Sequence, residues 1–240
     1  MQDFIHQAKI TEIQNLSPSV KSFKFQIIQS SEFNYEAGQF VIVSFPEINH
    51  SFPYRSYSLA SASDGSNFEL CVVLKPTGHA SPVLFEKKAG DVLQVTKPLG
   101  NFCLPDEETI QKSSFYFICT GTGIAPFRAM LQALIRKNIK PIKLTLYFGA
   151  RKEEDILYRE EMEKLASTLD WFHYVPVLSQ SNWNGAKGYV HPHYLNEIDN
   201  KILADTYFYI CGWSEMVKET KNNLKAIGYS RKQIKFELFD

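Results

Sequence analysis

The hydrophobic rhythm of this chain changes once, near residue 105, and that change restricts the folds open to it. Before it, apolar and polar residues alternate. Val20, Phe23, Phe25 and Ile27 stand among Lys21, Ser22, Lys24 and Gln26, the period of a strand with one buried face. "QFVIVSF" (39–45), "RSYSLAS" (55–61), "FELCVVL" (68–74) and "DVLQVTKP" (91–98) follow, separated by Gly, Pro, Asn, Asp and Ser. Such a series predicts a small closed antiparallel β-barrel, because closure removes the sheet edges. One short helix is expected over "SPVLFEKK" (81–88). After "LPDEETIQKS" (104–113), polar enough for a linker, the apolar runs become continuous: "FYFIC" (115–119), "LTLYFGA" (144–150), "FHYVPVL" (172–178), "TYFYIC" (206–211) and "IKFELF" (234–239). Helical spacings lie between them, as in Ile124, Phe127, Met130, Leu131, Leu134 and Ile135, and again in Met216, Val217, Leu224 and Ile227. Buried runs roughly thirty residues apart with amphipathic helices between them predict βαβ units and a five-stranded parallel sheet. The expected organisation is two domains, a barrel over 1–104 and an α/β domain over 105–240.

Charge and cysteine usage narrow the function classes. Lys plus Arg and Asp plus Glu both number 26, for a formal net charge of zero, so the basic excess of a nucleic-acid binder is missing. The opening residues lack the basic-then-apolar run of a signal peptide. No apolar stretch approaches the roughly eighteen residues that cross a bilayer, so no transmembrane segment is expected. Cys71, Cys103, Cys119 and Cys211 are far apart and form no CxxC pair. That spacing argues against a zinc knuckle, a disulfide framework and a plant-type iron–sulfur domain, leaving reduced thiols in a cytoplasmic protein as the expectation. His191-Pro192-His193, read as a surface loop after "GYV", lacks carboxylate or cysteine company, so no metal site is expected.

Two stretches carry chemistry. In "FICTGTGIAPFRAM" (117–130) the first parallel strand runs through Thr120, Gly121, Thr122 and Gly123 directly into a helix. Glycines here can take positive φ and bare their amides, and Pro126 suits the first helical turn, where a missing N–H costs nothing. Unpaired N–H groups at that helix start form a ready anion site at the carboxyl end of a strand. Taken alone, the segment is equally compatible with a plain tight turn. In the first half, "RSYS" puts Arg55 and Tyr57 on one strand face and Ser56 and Ser58 on the other. A guanidinium can clamp a diphosphate and hydroxyls can reach ring nitrogens, although an ordinary exposed strand reads the same way.

Together with other segments in order, these stretches resemble the ferredoxin–NADP reductase superfamily along nearly the whole chain. Its RxYS flavin motif is matched by Arg55 to Ser58, its G-x-x-S helix start by Gly78-His79-Ala80-Ser81, and its P-x-G-x-F segment by Pro98 to Phe102. Its G-x-G-I-A-P-F turn is matched by Gly121 to Phe127, its CG…M signature by "CGWSEM" (211–216), and its C-terminal acid by Glu237 in "FELF". "FGAR..EDILYREEMEKL" (148–165) is similar to the strand and helix between.

The resemblance implies an FAD-dependent oxidoreductase that takes hydride from NAD(P)H at flavin N5 and hands electrons to a separate acceptor. By carry-over, Arg55 pairs with the flavin diphosphate, Ser56 and Tyr57 line the flavin, and Ser58 donates near N5. Val72, Val73 and Lys75 edge the flavin, although Val72 and Val73 also suit plain barrel core. Gly78 and Ser81 hold its phosphates. Thr120 to Gly123 with Pro126 take the nicotinamide cofactor's pyrophosphate. Cys211, Gly212 and Met216 lie by the nicotinamide ring, with Cys211 equally readable as core, and Glu237 assists electrostatically. Ser58, Cys211 and Glu237 are the candidate catalytic residues. NADPH users of this superfamily often place Ser-Arg where this chain has Ser179-Gln180, which turns the expectation toward NADH, with Arg151 or Lys187 as substitute cations. The acceptor implied is a small redox protein, such as a ferredoxin or an oxygenase component. Two alternatives stand beside it: an NAD(P)H:flavin reductase acting on free flavin, and a non-catalytic flavin-binding redox sensor or docking subunit.

Overall fold

The computed structural model describes residues 6–28, 32–45, 53–198 and 204–239. Packing divides the chain into two units, Met1–Leu104 with Ala125–Leu134, and Pro105–Ile124 with Ile135–Asp240.

The first unit contains β1 (His6–Ser17), β2 (Val20–Ile27), β3 (Phe40–Ser44), β4 (Tyr54–Ser58), β5 (Asn67–Val73), α1 (Ala80–Glu86) and β6 (Val92–Val95). The sheet order is β4-β3-β6-β1-β2-β5, and every ladder is antiparallel. Its two end strands meet where Leu59 bridges Leu70 and the Ala60 N–H donates to the Glu69 carbonyl at 2.8 Å, so the sheet closes into a barrel. The alternation in β2 turns Phe23 and Phe25 inward against Phe68 and Leu70 of β5, Val41 and Val43 of β3 and Leu84 of α1. Phe25 stacks on Phe68 with ring centroids 4.9 Å apart. The first strand escaped the sequence pattern because its register slips between Ile10 and Glu12 and again between Asn15 and Ser17, which breaks the period of two.

The second unit opens with α2 (Glu107–Gln111) and β7 (Ser114–Thr120). A 3₁₀ turn (Gly121–Ile124) leads into α3 (Ala125–Lys137), whose residues up to Leu134 group with the barrel. Then come β8 (Lys143–Ala150), α4 (Arg159–Thr168), β9 (Phe172–Leu178), β10 (Ala186–Lys187), α5 (Val190–Ile198), β11 (Thr206–Gly212), α6 (Ser214–Ile227) and β12 (Ile234–Leu238). The order is β10-β9-β8-β7-β11-β12 and every pairing is parallel. The chain builds outward from β7 to β8 and β9, then returns to lay β11 on β7's other side. The strand order therefore reverses between β7 and β11, the switch point at which open α/β sheets take ligands. One sheet face, including Tyr116, Ile118, Tyr147, Phe208 and Ile210, packs on Tyr194 and Ile198 of α5 and on Met216, Val217 and Leu224 of α6.

Three expectations need correction. Among the described residues the parallel sheet has six strands, not five: the added β10 is two residues long and pairs through Ala186 with Val177 and Lys187 with Leu178, too short to show any period. The polar segment 104–113 contains α2, capped where Asp106 Oδ1 accepts the Thr109 N–H at 2.9 Å. His191-Pro192-His193 lies in the first turn of α5 rather than in a surface loop, and His191 is buried.

Candidate active site

The glycine turn sits at the carboxyl end of β7, on the switch point. Gly121 takes φ +52°, and a side chain there would meet open space. Gly123 is glycine for a different reason. A Cβ on it would run into the Cys211 carbonyl, lying 2.6 Å from the Cys211 carbonyl carbon and 2.9 Å from Gly212 Cα. Gly212, at φ +133°, approaches from the other side, its Cβ position 2.5 Å from Thr120 Oγ1. The Trp213 N–H donates to that same Thr120 hydroxyl at 3.0 Å. The ends of β7 and β11 thus meet backbone to backbone, leaving no room for side chains between them.

Cys211 lies in register with Cys119 on one side and Glu237 on the other. Its thiol is fully buried, and burial pushes its pKa well above the usual value, with Glu237 and Cys119 adding to the rise. It is a neutral thiol. Met216, in the first turn of α6, points into the core under the sheet and its carbonyl accepts the Thr220 hydroxyl at 2.9 Å. Thr122 is partly exposed and Pro126 is buried in the first turn of α3. At the ends of β8 and β9, Arg151 and Ser179 are exposed, with the Ser179 N–H on the Ala150 carbonyl at 3.0 Å and the Gln180 N–H on the Arg151 carbonyl at 2.9 Å. Lys187 pairs in register beside Leu178, and its Nζ donates to Asn182 Oδ1 at 2.9 Å.

In the barrel, β4 presents Arg55 and Ser56 to solvent, while Tyr57 packs against the core and Ser58 is buried. Arg55 donates one N–H to the Tyr54 carbonyl at 2.8 Å. Burial pushes the Tyr57 hydroxyl up to about 12 against the pull of Arg55, so it remains a neutral donor. Val72 belongs to the barrel core, Val73 is half-buried and Lys75 is exposed. The Ser81 hydroxyl accepts the Lys75 N–H at 2.8 Å and Gly78 N–H donates to the Lys75 carbonyl at 2.9 Å, so residues 75–81 form a self-bonded turn entering α1.

Sequence reasoning missed a buried ion pair on α3. Arg128 Nη1 donates to Glu69 Oε2 at 2.9 Å and to the Ala60 carbonyl at 2.7 Å, and Ser22 Oγ donates to Glu69 Oε1 at 2.6 Å. The two charged side chains are 12% and 6% exposed. The signal was an Arg two residues past Pro126, on the face of α3 shared with buried Leu131, yet nothing local named its partner. A cleft of about 410 Å³ between α4, β9 and Trp183 contains none of the residues singled out from the sequence. Among the described residues no group of three or more His, Cys, Asp or Glu could hold a metal, and no helix is long and apolar enough to cross a membrane.

A closed antiparallel barrel followed by a parallel sheet with a glycine turn at its switch point defines a two-domain flavin- and nicotinamide-nucleotide oxidoreductase. Comparison with known proteins agrees. Residues 7–103 match the oxidoreductase FAD-binding domain and residues 117–222 the oxidoreductase NAD-binding domain. The chain is 33% identical over 243 residues to ferredoxin–NADP reductase B of Sorangium cellulosum, covering 98% of this chain and 97% of that one. It is 29% identical to the phenol 2-monooxygenase reductase component DmpP of a Pseudomonas species, covering 88% of this chain but 59% of that protein. A ferredoxin–NADP⁺ reductase of Neisseria gonorrhoeae, solved with bound FAD and NADP, superimposes with a TM-score of 0.82 at 26% identity over 97% of both chains. The chain belongs to the ferredoxin–NADP reductase family of FAD-dependent NAD(P)H oxidoreductases.

Proposed function

We propose that this protein is an FAD-dependent NADH oxidoreductase that passes electrons from its bound flavin to a separate redox protein, such as a ferredoxin or an oxygenase component, in the cytoplasm. Residues 1–104 form the flavin domain and 105–240 the nucleotide domain. The observation that carries the reading is the glycine turn at the β7–β11 switch point, where Gly123 and Gly212 bring two strand ends together without side chains. That leaves bare backbone N–H groups for a pyrophosphate, so the residues present fit a dinucleotide.

The flavin side fits as well. Arg55 keeps most of its donors for a diphosphate, and Ser56, Tyr57 and Ser58 line the ring and ribityl chain, with Ser58 donating near the hydride-accepting nitrogen. Val73 and Lys75 edge the flavin; Val72 contributes backbone, since its side chain is core. At the turn entering α1, Ser81 holds phosphate through its backbone N–H, because its hydroxyl is spent on Lys75, and Gly78, whose own N–H is taken by the Lys75 carbonyl, lets the phosphate come close by lacking a side chain. Bound FAD supplies the two-electron acceptor that can later release its electrons to a partner. Thr120 to Gly123 and Pro126 hold the nucleotide's pyrophosphate, and Cys211 and Gly212 form the wall beside the nicotinamide. Met216 supports that wall from below. The neutral Cys211 thiol puts no charge next to the ring, and Glu237 supplies the nearby carboxylate.

NADH is the preferred donor because Gln180 provides no cation for a 2′-phosphate and the Lys187 ammonium is engaged by Asn182 Oδ1 at 2.9 Å, which leaves Arg151 as the substitute cation by which NADPH would be taken instead. An anaerobic stopped-flow titration of the as-purified protein with NADH and then NADPH tests all of this. A yellow protein bleached faster by NADH is the expected result. Faster bleaching by NADPH overturns the donor assignment. A colourless protein that consumes NADH only with added free flavin makes it a flavin reductase. Yellow protein that neither nucleotide bleaches makes it a flavin-binding module without reductase activity.

A further inference from the structure

Trp213 breaks a local rule without a structural return. It occupies the N-cap of α6, where Ser, Thr, Asp, Asn or Gly is favoured because a short side chain can accept one of the unpaired helix N–H groups. The indole makes no such bond, and it is 62% exposed. Among the described residues, no ring stacks on it and no acceptor takes its Nε1–H. Its backbone, by contrast, is held firmly. The amide donates to Thr120 Oγ1 at 3.0 Å, and the preceding Gly212 lies against the Gly123 turn. The backbone that carries this large flat apolar ring is therefore held at the carboxyl end of β11, beside the turn, while the ring itself stands exposed, at the cost of both a cap and an exposed apolar surface. Departures of this kind mark function more often than architecture.

The strand order says which ligand group meets the ring. A dinucleotide with its pyrophosphate on the turn after β7 sends its two nucleosides in opposite directions along the sheet edge. On the β8 and β9 side stand Arg151, Ser179, Gln180 and Lys187, the polar groups assigned above to the adenosine end. On the β11 side stand Cys211, Gly212 and Trp213. We propose that the Trp213 indole is a binding platform for the nicotinamide–ribose half of the nucleotide, stacking against it as it lies over the end of β11. The proposal rests on the nucleotide reading above and adds a residue to it.

The test is isothermal titration of the oxidised holoprotein with NAD⁺ and, separately, with 5′-AMP, for the wild type, Trp213→Ser and Trp213→Phe. Loss of one aromatic platform is expected to weaken NAD⁺ about tenfold in Trp213→Ser, within the range that aromatic–base stacking provides. Trp213→Phe should recover affinity to within about threefold of wild type. AMP, which lacks the nicotinamide half, should bind all three proteins alike. Because serine restores a favoured cap, Trp213→Ser should melt at or above the wild-type temperature, an outcome a structural role for the indole forbids. NAD⁺ binding unchanged in Trp213→Ser overturns the proposal while leaving the nucleotide reading intact. Equal weakening of AMP also overturns it, by moving the ring to the adenine half. A wild type that binds no NAD⁺ overturns both.

Discussion

Gly123 shows how a single residue can be legible in type and illegible in cause. The sequence reading gives it the freedom of positive φ, yet only Gly121 of the turn uses that freedom; Gly123 is held to glycine by the Cys211 carbonyl, a contact with a residue far along the chain. Gly123→Ala must push the ends of β7 and β11 apart, because the obstacle is backbone and cannot swing away. Overpacking of this kind costs about 1–3 kcal/mol. For a chain of this length that corresponds to a melting temperature lower by roughly 2–10 °C. The same displacement moves the N–H groups assigned to the pyrophosphate, so KM for NADH should rise about tenfold or more while flavin content stays at the wild-type level. Differential scanning fluorimetry, flavin absorbance and steady-state kinetics read the three quantities separately. An unchanged KM would separate the turn from the nucleotide. Arg128 is the complementary case: its type was visible and its buried partner Glu69 was not, since charge pairing across such separation leaves no local pattern.

Among the elements, α5 was hidden by its own start. Two histidines around a proline after Gly188 resemble a loop, but Pro192 in a first helical turn is compatible with a helix, and Tyr194 and Ile198 continue one apolar face into the core. The barrel strands β2 to β6 were readable from their turn-bounded apolar segments, and the five longer parallel strands from their continuous apolar runs. The bulged β1, the two-residue β10 and the five-residue α2 had too little period to read. The helix also carries two titrating anchors. His191 Nε2 lies 3.2 Å from Glu219 Oε2 of α6, and its Nδ1 lies 3.3 Å from the Thr220 hydroxyl. Burial lowers its pKa below 6.5, against the pull of Glu219. At the other end of α5, Glu197 accepts from Lys143 Nζ at 2.7 Å, from Tyr116 Oη at 3.1 Å and from Tyr147 Oη. Burial pushes the Glu197 carboxyl up, but the bonds from Lys143 and Tyr147 outweigh it and leave the pKa below 4.5. Both groups have depressed folded-state values, so each contributes stability above its unfolded pKa and loses it as pH falls through the folded one. Melting temperature should therefore fall in two steps on acidification, the first beginning below pH 6.5 from His191 and the second below 4.5 from Glu197. Glu197→Gln should remove the lower step and cost roughly 2–4 °C at pH 7, about 1 kcal/mol for a chain of this size. A pH series of melting curves for wild type and variant decides it, and a lower step that survives in Glu197→Gln would assign it to another carboxylate.

At the scale of the whole molecule, the two cores make a prediction about heat. The barrel core is built from Phe23, Phe25, Phe33, Phe68 and their neighbours, and the sheet core from Tyr116, Tyr147, Phe208, Val217 and theirs. These two clusters share no residue, and the prediction is that each loses its packing in a transition of its own. On the proposed assignment of FAD to residues of β4, β5 and the turn into α1, the flavin binds the folded barrel and not its unfolded chain. It therefore stabilises that unit by about 4 kcal/mol when free FAD exceeds its Kd a thousandfold. Stripping the flavin should lower one calorimetric transition by about 10 °C or more and leave the other near its original temperature, so the apoprotein shows two resolved steps where the holoprotein shows them closer together. NAD⁺ added to that apoprotein should raise the other step, because the residues assigned to its pyrophosphate end β7 and β11. Two transitions that shift together on flavin removal would overturn the assignment of the flavin to residues 1–104. In that event the carried-over roles of Arg55, Tyr57 and Ser58 would describe only part of the flavin site.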